Sequence, residues 1–204
     1  MQEPLAEITV NYGGSVSMKF TYELNGIGWA NVELKLNHKE CCFFPSYITD
    51  ALSDLVQAIE VLMPECVAED EVRSASTFTW NSEPAEHLWV LTRKDKETLN
   101  LQIRLYRDGV SDGKYELILD EDCFFDEFVK ELVGALEEIL YKHGIVGYKK
   151  QWCSGEFPLS GYIMLKHYLL RKKEIEIKIH NEDEWNEFYQ SNLEEEIKLV
   201  LKTT

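Results

Sequence analysis

An apolar stripe between residues 120 and 144 is the strongest constraint that the sequence places on the fold. Its side chains recur every three or four residues, which puts them on one face of an α-helix about five turns long. Asp122 can accept hydrogen bonds from the free N–H groups of the first turn, and Gly144 suits the left-handed conformation that ends a helix. The stripe consists of Phe125, Phe128, Val129, Leu132, Val133, Leu136, Ile139 and Leu140.

The opposite face of this predicted helix is acidic. Its carboxylates either keep the protein soluble or form a docking surface for a basic partner. A metal or catalytic carboxylate site is a third interpretation, which is disfavoured because the acids are expected to point away from the apolar stripe. The candidate protein-binding residues are Asp122, Asp126, Glu127, Glu131, Glu137 and Glu138.

The charge balance of the whole chain narrows the class of partner. The 204 residues include 37 acidic and 21 basic side chains, which gives a net charge of −16. Such a chain repels phosphates and anionic membrane surfaces, whereas it attracts basic proteins. We therefore expect a basic protein partner, and we expect neither nucleic acid nor a membrane as a ligand.

Cysteine usage and the lack of targeting signals indicate the cellular compartment of the protein. The five cysteines include the adjacent pair Cys41 and Cys42, and an odd, scattered set favours a reducing compartment over a disulfide framework. No apolar run approaches the roughly twenty residues of a membrane span. The first ten residues lack the basic and apolar regions of a signal peptide. The sequence predicts a cytoplasmic protein.

Alternation of apolar and polar residues predicts the β-strands. Residues 16–24, which begin at Val16, and residues 29–36 form a predicted hairpin around the turn-forming pair Asn25 and Gly26. A helix is predicted to open at Pro45 and to end before Pro64. Further strands are predicted at residues 76–80, 88–93, 99–106 and 115–119, with turn signals at Asp108-Gly109 and Asp112-Gly113.

This order of elements, ββ-α-ββββ-α, predicts an α+β fold. An antiparallel twisted sheet carries the helices on one face, and a helical extension follows at the C-terminus. We predict a core domain over residues 1–158 and a C-terminal segment over residues 159–204, packed on the same core.

The C-terminal segment is predicted to contain a helix at residues 159–170, a short strand at 174–179 and a last helix at 183–201. The apolar stripe of this last helix packs either on the core or on a second copy of the protein, so a homodimer is an alternative. The stripe consists of Trp185, Phe188, Tyr189, Leu193, Ile197, Val200 and Leu201.

The side chains that could bind a metal or act in catalysis do not form a recognised motif. His38, Cys41 and Cys42 lie close together, but a structural zinc site needs four ligands and a second paired motif is missing. The sequence contains no phosphate-binding loop, no nucleophile elbow and no dinucleotide-binding motif. We predict no catalytic residue, no metal and no cofactor. An enzyme site built from carboxylates stays an alternative, because the chain contains many acids.

Tryptophans near one predicted hairpin allow two interpretations. Trp80 and Trp89 flank Glu83-Pro84, while Trp29 and Trp152 occur near glycines. Large aromatic side chains at such positions are typical of a core or a sheet face. The alternative is an exposed aromatic patch within an interface, since tryptophan is enriched among binding hot spots.

Two segments resemble a class of small bacterial proteins. They are GIGWANVEL at residues 26–34, which precedes a predicted helix, and WNSEPAEHLWVL at residues 80–91, which precedes a sheet and the acidic helix. Over residues 15–158 this arrangement resembles small uncharacterised bacterial proteins, some of which are encoded as immunity proteins beside polymorphic toxins. The resemblance implies a non-enzymatic protein that blocks a toxin by binding it. Immunity families differ in fold and binding face, so no functional residue is carried over.

The sequence therefore predicts a non-enzymatic binding protein of the immunity type, which neutralises a basic protein toxin through an acidic surface. Two alternatives remain open. One is a structural or oligomerising domain that self-associates through its last helix. The other is a small enzyme with a carboxylate site.

Overall fold

The computed structural model describes residues 18–109, 113–181 and 186–201. These residues form nine strands and four helices, and the strands pair in three antiparallel sheets. The α+β fold predicted from the sequence is confirmed. Within the same ranges, no helix combines the length and the apolar character that crossing a membrane requires.

Two sheets and a hairpin alternate with the helices along the chain. The first sheet is β1 (Met18–Leu24), β2 (Ala30–Leu36) and β3 (Lys39–Phe43), followed by α1 (Ala51–Glu60). The second sheet is β4 (Ala75–Ser82), β5 (Ala85–Arg93), β6 (Thr98–Tyr106) and β7 (Glu116–Phe124). After it come α2 (Phe125–Trp152), α3 (Leu159–Arg171), the hairpin of β8 (Lys178–Asn181) and β9 (Glu187–Gln190), and α4 (Leu193–Leu201).

The first hairpin forms where alternation predicted it. Phe20, Tyr22 and Leu24 of β1 are buried and face the core, while the residues between them are less buried. Gly28 follows in the connecting loop with φ +75°, and a Cβ atom there would lie 2.9 Å from the ring of Tyr47. The loop therefore needs glycine at this position for both its conformation and its packing.

Aromatic side chains join the two sheets into one core. Phe43 of β3 lies 6.0 Å from Trp80 and 5.1 Å from Trp89, measured between ring centroids. The indole N–H of Trp80 donates a 2.8 Å hydrogen bond to the carbonyl oxygen of Ala51, which anchors the start of α1. Trp80, Trp89 and Trp152 are fully buried, so the core interpretation of these tryptophans is confirmed and the exposed-patch interpretation is wrong.

A buried ion pair joins α2 to α3. The Nζ atom of Lys166 lies 2.5 Å from Oε1 of Glu137, and both side chains are buried. Lys166 also donates a 2.9 Å hydrogen bond to the hydroxyl of Tyr162, which in turn donates to Glu137. The side chains of Tyr162, Leu165 and Tyr168 extend the main core onto α3.

The start of α2 differs from the prediction. β7 continues to Phe124, and the helix begins at Phe125, so Asp122 is a strand residue and not the N-terminal cap. Pairing with β6 places Asn100 opposite Asp122, and the Asn100 amide donates hydrogen bonds to both Asp120 and Asp122. These contacts with β6 keep residues 120–124 in the strand, although their local sequence pattern also fits a helix.

Gly144 interrupts α2 without ending it. Its backbone has the positive φ of +66° that favours glycine, but its ψ of 173° lies outside the predicted left-handed helical region, and the helix resumes and continues to Trp152. Tyr148 and Trp152 lie one turn apart and are both buried, so the second part of the helix is stabilised by the core. The prediction of an irregular connection after Gly144 is therefore wrong for residues 145–152, which are helical.

The first helix begins later than predicted, and a strand precedes it. α1 starts at Ala51, because Ser46 pairs with Trp29 in a β-bridge and donates its N–H to the carbonyl oxygen of Asn81. β3 was absent from the prediction. The pairing of Leu34 with Cys41 and of Val32 with Phe43 stabilises this strand, and neither contact is visible in the local sequence.

The C-terminal prediction is partly wrong. The helix expected at residues 159–170 is confirmed as α3, but Phe188 and Tyr189 belong to β9 and not to the last helix. The short strand lies at Lys178–Asn181 instead of 174–179, and α4 begins only at Leu193. Pairing between β8 and β9 accounts for these shifts. The predicted positions Val16, Asp112, Asp183 and Trp185 lie outside the described residues.

We predict that Lys166→Met destabilises the protein by about 3 kcal/mol or more, because it leaves the Glu137 carboxylate buried without its cation. The double variant Lys166→Met/Glu137→Met removes both charges and is expected to recover most of this loss. Urea unfolding at neutral pH measures the difference.

Lys172→Met is the matched control for this prediction. Lys172 pairs with Asp126 of α2 at 2.6 Å, but both side chains are about half exposed. The loss should be less than about 1 kcal/mol. A single Lys166→Met variant as stable as the double variant would contradict the prediction.

Candidate functional site

Four of the six predicted protein-binding acids are engaged by other parts of the protein, and three of these four are not fully buried. Asp122 pairs with Lys94 at 2.7 Å. Asp126 pairs with Lys172 and accepts a 2.8 Å hydrogen bond from the hydroxyl of Tyr168. Glu131 accepts a 3.3 Å hydrogen bond from the backbone N–H of Phe20, at the edge of the first sheet. These contacts neutralise or orient the carboxylates, and they reduce the negative charge available to a partner.

Glu137 was expected on the polar face of the helix, and this placement is wrong. It is only 7% exposed, because α3 covers that side of α2 and supplies Lys166 as its cation. Glu127 is half-buried and Glu138 is exposed. The six acids therefore do not form one continuous solvent-facing surface.

A groove between β1 and α2 has mixed charge. Its volume is about 690 Å³, and the predicted acids Glu131 and Glu138 line it. Lys19, Lys130 and Lys142 line it too, so the negative charge of the acids is locally balanced. This groove offers no bias towards a basic ligand.

A second groove, here called the C-terminal groove, lies between α3, the loop after α1 and the β8–β9 hairpin. Its volume is about 790 Å³. Apolar side chains from each of these elements contribute to its lining, and three of them remain strongly exposed: Ile177 at 45%, Ile179 at 56% and Tyr189 at 67%. The main apolar lining residues are Val67, Ile163, Met164, Ile175, Ile177, Ile179 and Tyr189.

The charge of the C-terminal groove is of one sign. Glu65, Glu71, Glu174 and Glu196 line it, and no Lys, Arg or His is among the described residues of its lining. One carboxylate oxygen of Glu65 is buried and has no hydrogen-bond partner among the described residues. An unpaired buried carboxylate oxygen is costly, and a cationic donor would satisfy it.

A cleft of about 750 Å³ lies between α1 and residues 153–161. Asp50 and Glu60 line it, and the carboxylate of Asp50 packs so closely on Gly155 that a side chain there would force Asp50 to move. Burial raises the pKa of Asp50, and it raises the pKa of Glu60 to about 7. Lys149 pairs with Glu156 on the opposite side of the cleft.

Polar groups are also buried within the core. The hydroxyls of Tyr22 and Tyr148 and the indole N–H of Trp152 are buried, and none has a hydrogen-bond partner among the residues that the structure describes. Burial raises the pKa of both phenols, and the charges of Asp50 and Asp54 raise it further. Burial also raises the pKa of Asp54 to about 6. Burial therefore brings the pKa values of Asp54 and Glu60 closer to neutral pH than those of free carboxylates.

A serine and a histidine of the second sheet lie within hydrogen-bonding distance of each other. Ser82 Oγ lies 3.3 Å from Nδ1 of His87, and burial lowers the pKa of that imidazole to about 4. The pair belongs to the β4–β5 hairpin, and neither residue lines the cleft or the C-terminal groove. Throughout the described ranges, no three His, Cys, Asp or Glu side chains are grouped so that they could hold a metal ion.

Comparison of the chain with protein-family models, curated proteins and solved structures gives no match. The functional assignment therefore depends on the geometry of the chain itself. The resemblance to immunity proteins stays a prediction.

Sequence reasoning did not identify the C-terminal groove, although some of its signals are present. The acidic connector at residues 65–71 and the alternating run at 174–179 both supply lining residues. Their convergence with α3 depends on tertiary packing, which neither pattern reveals.

We predict that Glu60→Gln makes the stability of the protein less sensitive to pH. Burial raises the pKa of Glu60 from 4.5 to about 7, so the folded state binds a proton that the unfolded state releases. The stability contributed by this proton is present below pH 4.5 and is lost as the pH rises through 7. Above this range the variant should be more stable than the wild type, on the order of 1 kcal/mol.

Thermal or urea unfolding of both proteins across this pH range measures the effect. The two should be equally stable at the acidic end, because glutamine resembles protonated glutamate. Glu69→Gln, at an exposed position in the connector, is the control and should give no pH-dependent difference. A difference between Glu60→Gln and wild type that does not change with pH would refute the explanation.

Proposed function

We propose that the protein is a non-enzymatic binding protein whose C-terminal groove receives a basic segment of another protein. The observation that carries this proposal is the lining of the groove, where four glutamates and no described basic residue surround exposed isoleucine and tyrosine side chains. An apolar surface supplies affinity on burial, and charge of one sign selects a partner of the opposite sign.

Long-range electrostatics support the same partner. The net charge of −16 accelerates the approach of a basic protein and slows the approach of nucleic acids and other acidic proteins. Because of the resemblance to immunity proteins, we propose a basic toxin as the class of partner. Binding to such a toxin would neutralise it without any chemical step by the chain described here.

The apolar residues of the groove supply suitable anchors. Tyr189 is 67% exposed at the surface of the groove, and tyrosine is among the residues that most often carry binding energy in interfaces. Glu65 lines the groove, and its carboxylate provides a complementary charge for a lysine or arginine side chain. Together these residues combine an apolar contact with a charged one.

We predict that charge reversal in the groove abolishes capture of a partner, whereas the same change on α2 does not. The groove variant is Glu71→Lys/Glu174→Lys, at two exposed positions. The α2 variant is Glu127→Lys/Glu138→Lys, which changes two of the originally predicted acids. Immobilised wild type and both variants are incubated with lysate of the source cell at low and high salt, and the retained proteins are identified.

We expect the wild type and the α2 variant to retain a basic protein at low salt and to release it at high salt. The groove variant should not retain this protein. Circular dichroism establishes that the variants are folded. Equal retention by the groove variant, or no retained protein at all, would contradict the proposal. Loss of retention in the α2 variant alone would show that the acidic helix α2, and not the groove, is the binding surface.

Self-association through α4 is a second candidate function, and one observation favours it. Leu193, Ile197 and Leu201 lie on one stripe of α4 and are 67%, 47% and 73% exposed. We expect a monomer nonetheless, because two copies that each carry −16 charges repel one another. Sedimentation velocity at two widely separated concentrations tests this expectation, and a dimer that Ile197→Glu dissociates would establish the alternative.

A further inference from the structure

The two walls of the C-terminal groove are of different kinds. One wall is the side of α3 that carries Leu159, Ile163 and Met164. The other is one face of the β8–β9 hairpin, where Ile179 and Tyr189 are directly opposite each other and Ile177 precedes them on the same face. The groove therefore lies between a helix and the face of a sheet.

The hairpin is not stabilised by burial of its own side chains. All residues of β8 and β9 are exposed, and a two-stranded hairpin is marginally stable at best unless another element packs on its face. A helix is the element that normally covers the apolar face of an antiparallel sheet. The exposed side chains of Ile177, Ile179 and Tyr189 supply such a face.

The position of these side chains distinguishes a helix from an added strand. A strand would pair with backbone groups at an edge of the hairpin and would leave the three side chains on its face uncovered. The volume of the groove, about 790 Å³, also suits a helix. Two turns of an α-helix, roughly 10 Å wide and 11 Å long, occupy a volume of the same order.

The charges of the groove determine which helix fits. A second copy of the chain carries −16 charges, and residues 1–17 of the same chain contain Glu3 and Glu7 but no Lys or Arg. Both are repelled by Glu65, Glu71 and Glu174. A helix from a basic protein is attracted, because its lysines or arginines can lie beside these carboxylates.

We infer that the occupant of the C-terminal groove is an amphipathic α-helix of a basic partner protein, packed across the β8–β9 face with lysine or arginine side chains beside the groove glutamates. This inference rests on the proposed function and specifies its binding mode. The apolar residues of the helix, spaced by three and four positions, contact Ile177, Ile179 and Tyr189. One basic side chain lies beside the carboxylate of Glu65, which lines the groove.

The test uses two synthetic peptides that contain equal numbers of leucine and lysine. One peptide spaces its leucines by three and four residues and is amphipathic as a helix, and the other alternates leucine with lysine and is amphipathic as a strand. Fluorescence anisotropy measures the affinity of the full chain for each labelled peptide. Circular dichroism measures the helix content gained on mixing. The helical peptide should bind about tenfold more tightly or better and should gain helix content.

Two variants with matched changes locate the binding face. Ile179→Asp changes a groove residue that is 56% exposed, whereas Phe188→Asp changes a residue on the opposite face of the same hairpin that is 50% exposed. The first should weaken binding of the helical peptide about tenfold or more. The second should leave the affinity almost unchanged.

The outcomes separate this inference from the proposed function. Tighter binding of the alternating peptide that Ile179→Asp abolishes would overturn the helical mode and retain the groove as a site for a basic partner. An equal effect of Phe188→Asp would also overturn the inference, because it would place the peptide on the other face of the hairpin. Binding of neither peptide would reject both the helical mode and the groove itself.

Discussion

The contact of Phe43 with Trp80 and Trp89 is the interaction on which the rest of the structure depends. Each sheet has one apolar face, and neither could bury that face without a second layer. The three rings join the two faces in one core, and the hydrogen bond from Trp80 to Ala51 positions α1 on it. α1 in turn leads into the loop that contributes Glu65 and Glu71 to the C-terminal groove. The contact between the two sheets therefore helps to position one side of the groove.

Local periodicity was sufficient to predict the elements whose neighbours lie close in sequence. The hairpin of β1 and β2 and the apolar stripe of α2 follow directly from spacings of two and of three or four residues. Residues 120–124 illustrate the limit of this approach, because their pattern fits a helix while Asn100 and Thr98 pair with them as a strand. β3 and β9 were missed or misassigned for the same reason, since each is stabilised by pairing with a neighbouring strand, and the local pattern of its own residues does not reveal that pairing.

The candidate site was harder to predict than the fold, because charge pairing is a tertiary property. Lys94 and Lys172, which neutralise Asp122 and Asp126, lie 28 and 46 residues away from them along the chain. Glu137 was expected to face solvent, and only the packing of α3 with Lys166 explains why it does not. A helical projection of α2 displays the acids but not the cations that other elements bring to them. The acidity of the chain was evident from its composition, whereas the location of the uncompensated acids was not.

The distinction between solubilising and functional charge follows from what surrounds each carboxylate. An acid that serves solubility is best placed in free solvent, where hydration stabilises it and no apolar neighbour opposes that hydration. Glu65, Glu71 and Glu174 instead line a groove with Ile177, Ile179 and Tyr189, and no described cation of the lining compensates them. In the free protein Ile177, Ile179 and Tyr189 stay largely exposed, and the carboxylates have no described lysine, arginine or histidine beside them in the lining. A partner that supplies both apolar and cationic groups would satisfy the two sets of residues at once, which gives the arrangement a physical basis that solubility alone does not.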